Sequence, residues 1–193
     1  MKTIYLFLTR THSFFSNLIH FATFDEYTHI SIGMDGNLSE LYSFARLNQN
    51  FPIPGGFVHE NITEGFYRKH DLSNCSLYKL EIDDKAFDKI TEALKLICEK
   101  SLEYKYSYLG AFLCFLHIKY RRERRFFCSQ FVASLITESE AALLPKNPCL
   151  MHPEDFIKIN GVSLIFKGTI LGLVNKLAES EKFLPAATFR FKS

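Results

Sequence analysis

The sequence predicts an α+β fold, a small antiparallel sheet or half-barrel packed against helices. Three observations lead there. Two runs rich in Ile, Leu, Tyr and Phe flank an Asp-Gly turn over residues 27–44, a strong hairpin signal. Apolar residues recur at helical spacing over 83–100. The remaining elements come in mixed order, with strands before and after a group of helices, rather than in regular β-α alternation.

The elements follow in chain order. "TIYLFL" (3–8) has strand composition. "SFFSNLIHFATF" (13–24) reads as a short helix capped by Ser13 or Ser16. "YTHISIGMDGNLSELYSF" (27–44) is the hairpin. Residues 45–76 read as a long irregular stretch punctuated by "PIPGG". "SLYKLEI" (76–82) alternates as a half-buried strand. The segment 83–100 is a helix capped by Asp83 or Asp84, with Phe87, Ile90, Leu94 and Ile97 on one face. A second helix is expected through 106–118 and a third from Cys128, its inner face carrying Phe131, Val132, Leu135 and Ile136. "HPEDF" (152–156) starts a short helix at Pro153, where proline suits the first turn. "VSLIF" (162–166) is a late strand. One domain is expected over 1–193, with a core of about 3–168 and a C-terminal extension, 169–193, in which "ATFRF" has the composition of an edge strand.

With 193 residues, 47% hydrophobic and 23% charged, the chain has an ordinary globular composition. Twenty Phe, nine Tyr and no Trp imply a phenylalanine-rich core. A net charge of +2 gives no general attraction to polyanions, so a nucleic-acid partner is not expected. The five cysteines are odd in number and contain no C-x-x-C pair, which argues against a disulfide framework and a structural zinc site. Cys114 and His117 share a helix face but lack two further ligands. No metal and no cofactor is expected. The first ten residues hold too short an apolar run for a secretory signal, and no stretch reaches the length of a membrane span. The expectation is a soluble, cytoplasmic protein.

Cys128 stands at the expected start of a helix, in "RRFFCSQFVASLI". Free N–H groups and the helix dipole there favour an anion, which lowers a thiol pKa. Read alone, the same residue is more readily a small buried apolar side chain than a nucleophile. A nucleophile needs a base. Of seven histidines, His29 lies inside a strand, which holds it more rigidly than a loop would. Across the turn, Glu40 is placed to orient it: an even-numbered loop would put His29, Ser31, Glu40 and Tyr42 on one face and Ile30, Ile32 and Leu41 on the other. Tyr42 is the alternative for the orienting role.

"LTRTHSFFSNLIHFATFDEYTHISIGMDG", followed 99 residues after His29 by "FFCSQFVASLI", resembles the circularly permuted branch of the NlpC/P60 papain-like cysteine hydrolases. "YSYLGAF" (106–112), "HPEDF" and "VSLIFKG" (162–168) add to the likeness. The resemblance implies Cys128 as nucleophile, His29 as base and Glu40 as the third member. It implies an oxyanion hole from the Cys128 N–H and a neighbour, with Tyr106 and Tyr108 as candidates. Thr9 and Ser13 are placed to line the cleft. The implied reaction is amide hydrolysis through a thioester, on a small peptide, a peptidoglycan-type peptide or an amino-acyl amide. A related permuted group, similar to lecithin–retinol acyltransferase, suggests a lipid acyltransferase or thioesterase instead. That group carries a histidine where this chain has Glu40. A non-catalytic peptide- or lipid-binding module is a further alternative.

Overall fold

A computed structural model describes residues 1–10, 25–47 and 54–181, without the side chains of 180 and 181. Its centre is an eight-stranded sheet in the order β7-β6-β4-β3-β2-β1-β5-β8. The strands are β1 (Lys2–Arg10), β2 (His29–Gly33), β3 (Leu41–Arg46), β4 (Gly55–Glu60), β5 (Asn74–Ile82), β6 (Lys105–Tyr106), β7 (Arg125–Phe126) and β8 (Ser163–Thr169). All neighbours pair antiparallel except β6 and β7. The helices are α1 (Gly65–Lys69), α2 (Asp84–Glu99), α3 (Tyr108–Phe115), α4 (Cys128–Glu138) and α5 (Ile170–Glu181). The architecture is therefore α+β.

The two-residue period of the strands divides the apolar residues between two cores. Ile4, Leu6, Leu8, Ile30, Ile32, Phe44 and Phe57 form one face, against which α2 packs Ile90 and Leu94 and α4 packs Phe131, Val132 and Ile136. Phe7, Leu41 and Leu77 form the other, covered by Tyr67 of α1 and by Ile170 and Leu173 of α5. The α2 start is fixed as expected: the Asp83 carboxylate accepts a hydrogen bond from the Ala86 N–H at 2.8 Å, a cap worth about 1 kcal/mol.

Several expectations are corrected. Residues 45–76, read as irregular, hold β4, α1 and the first residues of β5. β4 opens on two glycines, and α1 is five residues long with no side-chain cap, so neither leaves a clear mark in the sequence. The 169–193 extension begins with helix α5, which joins the second core through Ile170 and Leu173. The helices expected at 13–24 and the "ATFRF" strand lie outside the described residues.

The hairpin register also differs. Ile32 pairs with Tyr42 and Gly33 with Leu41, so seven residues, not an even number, separate the paired ends. Asp35 shapes this loop by accepting hydrogen bonds from the Ser39 and Glu40 N–H groups at 3.2 and 3.0 Å. Leu38 adopts a left-handed φ of 55° and buries its side chain in the second core. The odd loop reverses the parity. Leu41 now shares the face of His29 and Ser31, while Glu40 and Tyr42 turn to the opposite face.

Candidate active site

The site forms where β2 and β3 part. β2 pairs with β1 along its whole length, ending at Thr9↔His29, but with β3 only at its far end. Between His29 and Ser31 its outer edge is therefore open. The Ser43 hydroxyl fills part of this gap by donating to the Ile30 carbonyl at 2.8 Å. The first residue of α4 fills the rest, since the Ile30 N–H donates to the Cys128 sulfur. The sulfur thus lies against the peptide joining His29 to Ile30. The Ser129 N–H and the Cys128 N–H also point at it, as expected at a helix start.

The thiol is not acidified. Burial is the largest influence and pushes Cys128 up to about 11, outweighing the backbone N–H groups that favour the thiolate. The expectation of a lowered pKa considered the helix start without the desolvation around it. His29 moves the other way, down to about 4, first through burial and then through the nearby Arg46 charge. His29 nevertheless keeps partial solvent exposure. At neutral pH Cys128 is a thiol and His29 a neutral imidazole.

Behind His29 runs a relay of hydrogen bonds. His29 Nε2 lies 3.3 Å from Ser31 Oγ, and Ser31 Oγ lies 3.0 Å from the Tyr67 hydroxyl. The Tyr67 hydroxyl in turn bonds the Glu60 carboxyl. With Glu60 ionised, counting protons gives the direction. Tyr67 spends its one proton on the Glu60 carboxylate and so accepts from Ser31. Ser31 has then spent its own proton and accepts from His29 Nε2–H. The neutral imidazole is left with a bare Nδ1, the nitrogen nearer the main chain and the tautomer a general base requires.

Glu60 and Tyr67 thus stand where Glu40 was expected. Glu40 instead pairs with His59 at 2.9 Å and accepts from Tyr42, and the Tyr42 and His59 rings stack at 4.5 Å. This cluster is on the other side of the sheet from His29. Tyr42 is therefore also on the face opposite His29. Sequence reasoning missed Glu60 and Tyr67 because both lie in the stretch read as irregular.

Burial pushes the Glu60 carboxyl up to about 7, against the opposing pull of the Tyr67 hydroxyl. A carboxyl with a raised folded-state pKa stabilises the fold below its unfolded value and loses that contribution as pH rises through the folded value. Glu60→Gln keeps an acceptor for Tyr67 and carries no charge. It is expected to be more stable than the parent at pH 8 and no more stable at pH 5, a change in relative stability on the order of 2 kcal/mol in urea melts. Equal losses at both pH values would show that ionisation of Glu60 does not strain the fold.

The remaining candidates divide. Tyr106 and Tyr108 pack with ring centroids 4.8 Å apart, and Tyr106 is close enough to Cys128 to feel its charge. A Cβ on Gly55 would stand 2.7 Å from the Tyr108 hydroxyl and 2.8 Å from Tyr106 Cβ, so glycine there lets β4 approach this pair. Thr9 lies opposite His29, fully buried, its hydroxyl without a partner among the described residues. Ser13 lies outside the described residues. The Arg46 charge reaches His29, Tyr106, Tyr108 and His70, yet Arg46 forms no ion pair among the described residues. Residues 11–24 and 48–53 contain no Asp or Glu to neutralise it.

"HPEDF" anchors the approach to β2. His152 Nδ1 pairs with Asp25 at 2.9 Å, and Glu154 accepts from the N–H groups of Glu26 and Tyr27. The Asp25 carboxylate, with Cys114 second, pushes His152 up to about 10. No family model and no curated protein compared with this chain matches it. What the fold and site define is an α+β protein with a buried thiol at a helix start, set against the main chain of the strand that carries His29.

Proposed function

We propose that the protein is a cysteine-dependent hydrolase that cleaves an amide bond through a thioester on Cys128, with the permuted papain-like arrangement its sequence resembles. The observation that carries this reading is the hydrogen bond from the Ile30 N–H to the Cys128 sulfur, which sets the thiol against the peptide that follows His29. In the first half-reaction, His29 Nδ1 takes the thiol proton as sulfur attacks the carbonyl carbon. The Cys128 N–H and a neighbouring donor, for which Tyr106 is the candidate, stabilise the developing oxyanion. His29 then passes the proton to the departing amine nitrogen, leaving a thioester. In the second, His29 takes a proton from water, which attacks the thioester and releases the acid and the thiol. Ser31, Tyr67 and Glu60 act as positioning residues, holding His29 in one tautomer.

Arg46 gives the substrate a chemical feature: an anionic group, carboxylate or phosphate, close to the scissile amide. A panel of peptide and amino-acyl amides, with and without such a group, tests the proposal against the parent protein and Cys128→Ala. The expected result is turnover and a hydroxylamine-labile mass increment on Cys128 of the parent, strongest for anionic members and absent from Cys128→Ala. Turnover that survives in Cys128→Ala would contradict the proposal.

A further inference from the structure

Helix α3 is apolar all round, and only Gly110 and Cys114 of it are buried. Leu109, Phe112 and Leu116 follow at helical spacing and are 52%, 59% and 47% exposed. Phe115 and Ile118 extend the strip at 40% and 50%. A surface helix of a water-soluble protein ordinarily turns polar residues outward, and a contiguous apolar strip of this kind marks a docking surface.

The chain that leaves α3 supplies the second observation. Residues 117–125 carry Lys119, Arg121, Arg122, Arg124 and Arg125 against the single acid Glu123. Arg121 and Arg124 are paired with Glu138 and Glu103. Lys119, Arg122 and Arg125 form no ion pair among the described residues. An exposed apolar strip continuous with a basic run matches an anionic bilayer, in which acyl chains take the apolar residues and headgroups the cations. A second copy of the chain would instead bring two basic runs together.

We infer that α3 and the basic run after it dock the protein on an anionic lipid surface, so that the cleft receives its substrate at the membrane interface. The docking stands on the exposed strip and its charge; the delivery of substrate rests on the proposed hydrolase reading. Tyr108, the first residue of α3, packs against Tyr106, which feels the Cys128 charge, so the strip begins close to the thiol.

Co-sedimentation of the full chain with phosphatidylcholine vesicles, with and without phosphatidylglycerol, tests the inference. The parent is expected to bind the anionic vesicles. Phe112→Asp with Leu116→Asp should weaken partitioning by about tenfold or more, and Lys119→Glu with Arg122→Glu should weaken it on anionic vesicles. Phe112→Ser serves if the double aspartate variant fails to fold. Cys128→Ala should bind like the parent, which keeps a failure of docking distinct from a failure of the hydrolase reading. The inference is overturned by absence of binding to anionic vesicles, by undiminished binding of the folded strip variants, or by a parent dimer that those variants dissociate without any vesicle binding.

Discussion

His29→Ala is expected to slow amide turnover by about 1,000-fold, the contribution of a positioned general base, and Cys128→Ala to abolish it. The first effect follows from the thiol's surroundings. With burial holding Cys128 near 11, little thiolate exists at neutral pH unless a base removes the proton during attack. His29 is already neutral and ready to accept, because burial and the Arg46 charge lower it to about 4. Glu40→Ala supplies the internal contrast. It breaks the pair with His59 on the opposite face of the sheet and should change turnover by less than about twofold, whereas loss of a true base costs orders of magnitude. Steady-state rates of the three variants on one amide substrate decide the assignment.

Phe131→Ala has the largest expected effect on stability, a loss of about 3–5 kcal/mol. Phe131 is 1% exposed, and its ring contacts those of Phe44, Phe57 and Phe126 at centroid distances of 5.0, 5.9 and 6.1 Å. These partners belong to β3, β4 and β7, so the cavity opens where three strands meet α4. Phe131 also lies one helical turn after Cys128 and receives no help from a side-chain cap, since α4 starts at Phe127 without one. Packing, not capping, holds the helix start against the sheet. Urea denaturation gives the stability. A loss below about 1 kcal/mol would mean the site collapses around the smaller side chain.

What was legible in the sequence follows the periodicities. β5 and α2 emerge from alternation and from the 3.6 spacing of Ile90, Leu94 and Ile97, and Cys128 at a helix start is readable from the apolar stripe that follows it. His29 as a strand residue is equally local. The orienting relay was not readable, for two physical reasons. Its register depends on the parity of a loop that Asp35 and the left-handed Leu38 set, and neither residue announces a seven-residue turn beside an Asp-Gly pair. Its outer members also meet His29 only through tertiary packing: Tyr67 comes from a five-residue helix and Glu60 from the end of a glycine-led strand, reaching Ser31 across 36 residues in the case of Tyr67. The pKa of Cys128 was misjudged for the same reason, since desolvation depends on everything packed around the helix start.

The central claim is that Cys128 and His29 work as one neutral proton-sharing pair. The most direct measurement is the rate of Cys128 alkylation by iodoacetamide between pH 7 and pH 9, read by mass spectrometry so that Cys128 is resolved from Cys75, Cys98, Cys114 and Cys149. With the two groups bounded at about 4 and about 11, the pair holds the same number of protons throughout this range. The route in which His29 accepts the thiol proton during attack is therefore independent of pH in this range, while attack by free thiolate climbs about tenfold per pH unit, so the parent rate should stand well above that of His29→Ala at pH 7 and approach it toward pH 9. In His29→Ala the rate should climb about tenfold per pH unit throughout. A parent profile that climbs as steeply as the His29→Ala profile would contradict the pairing.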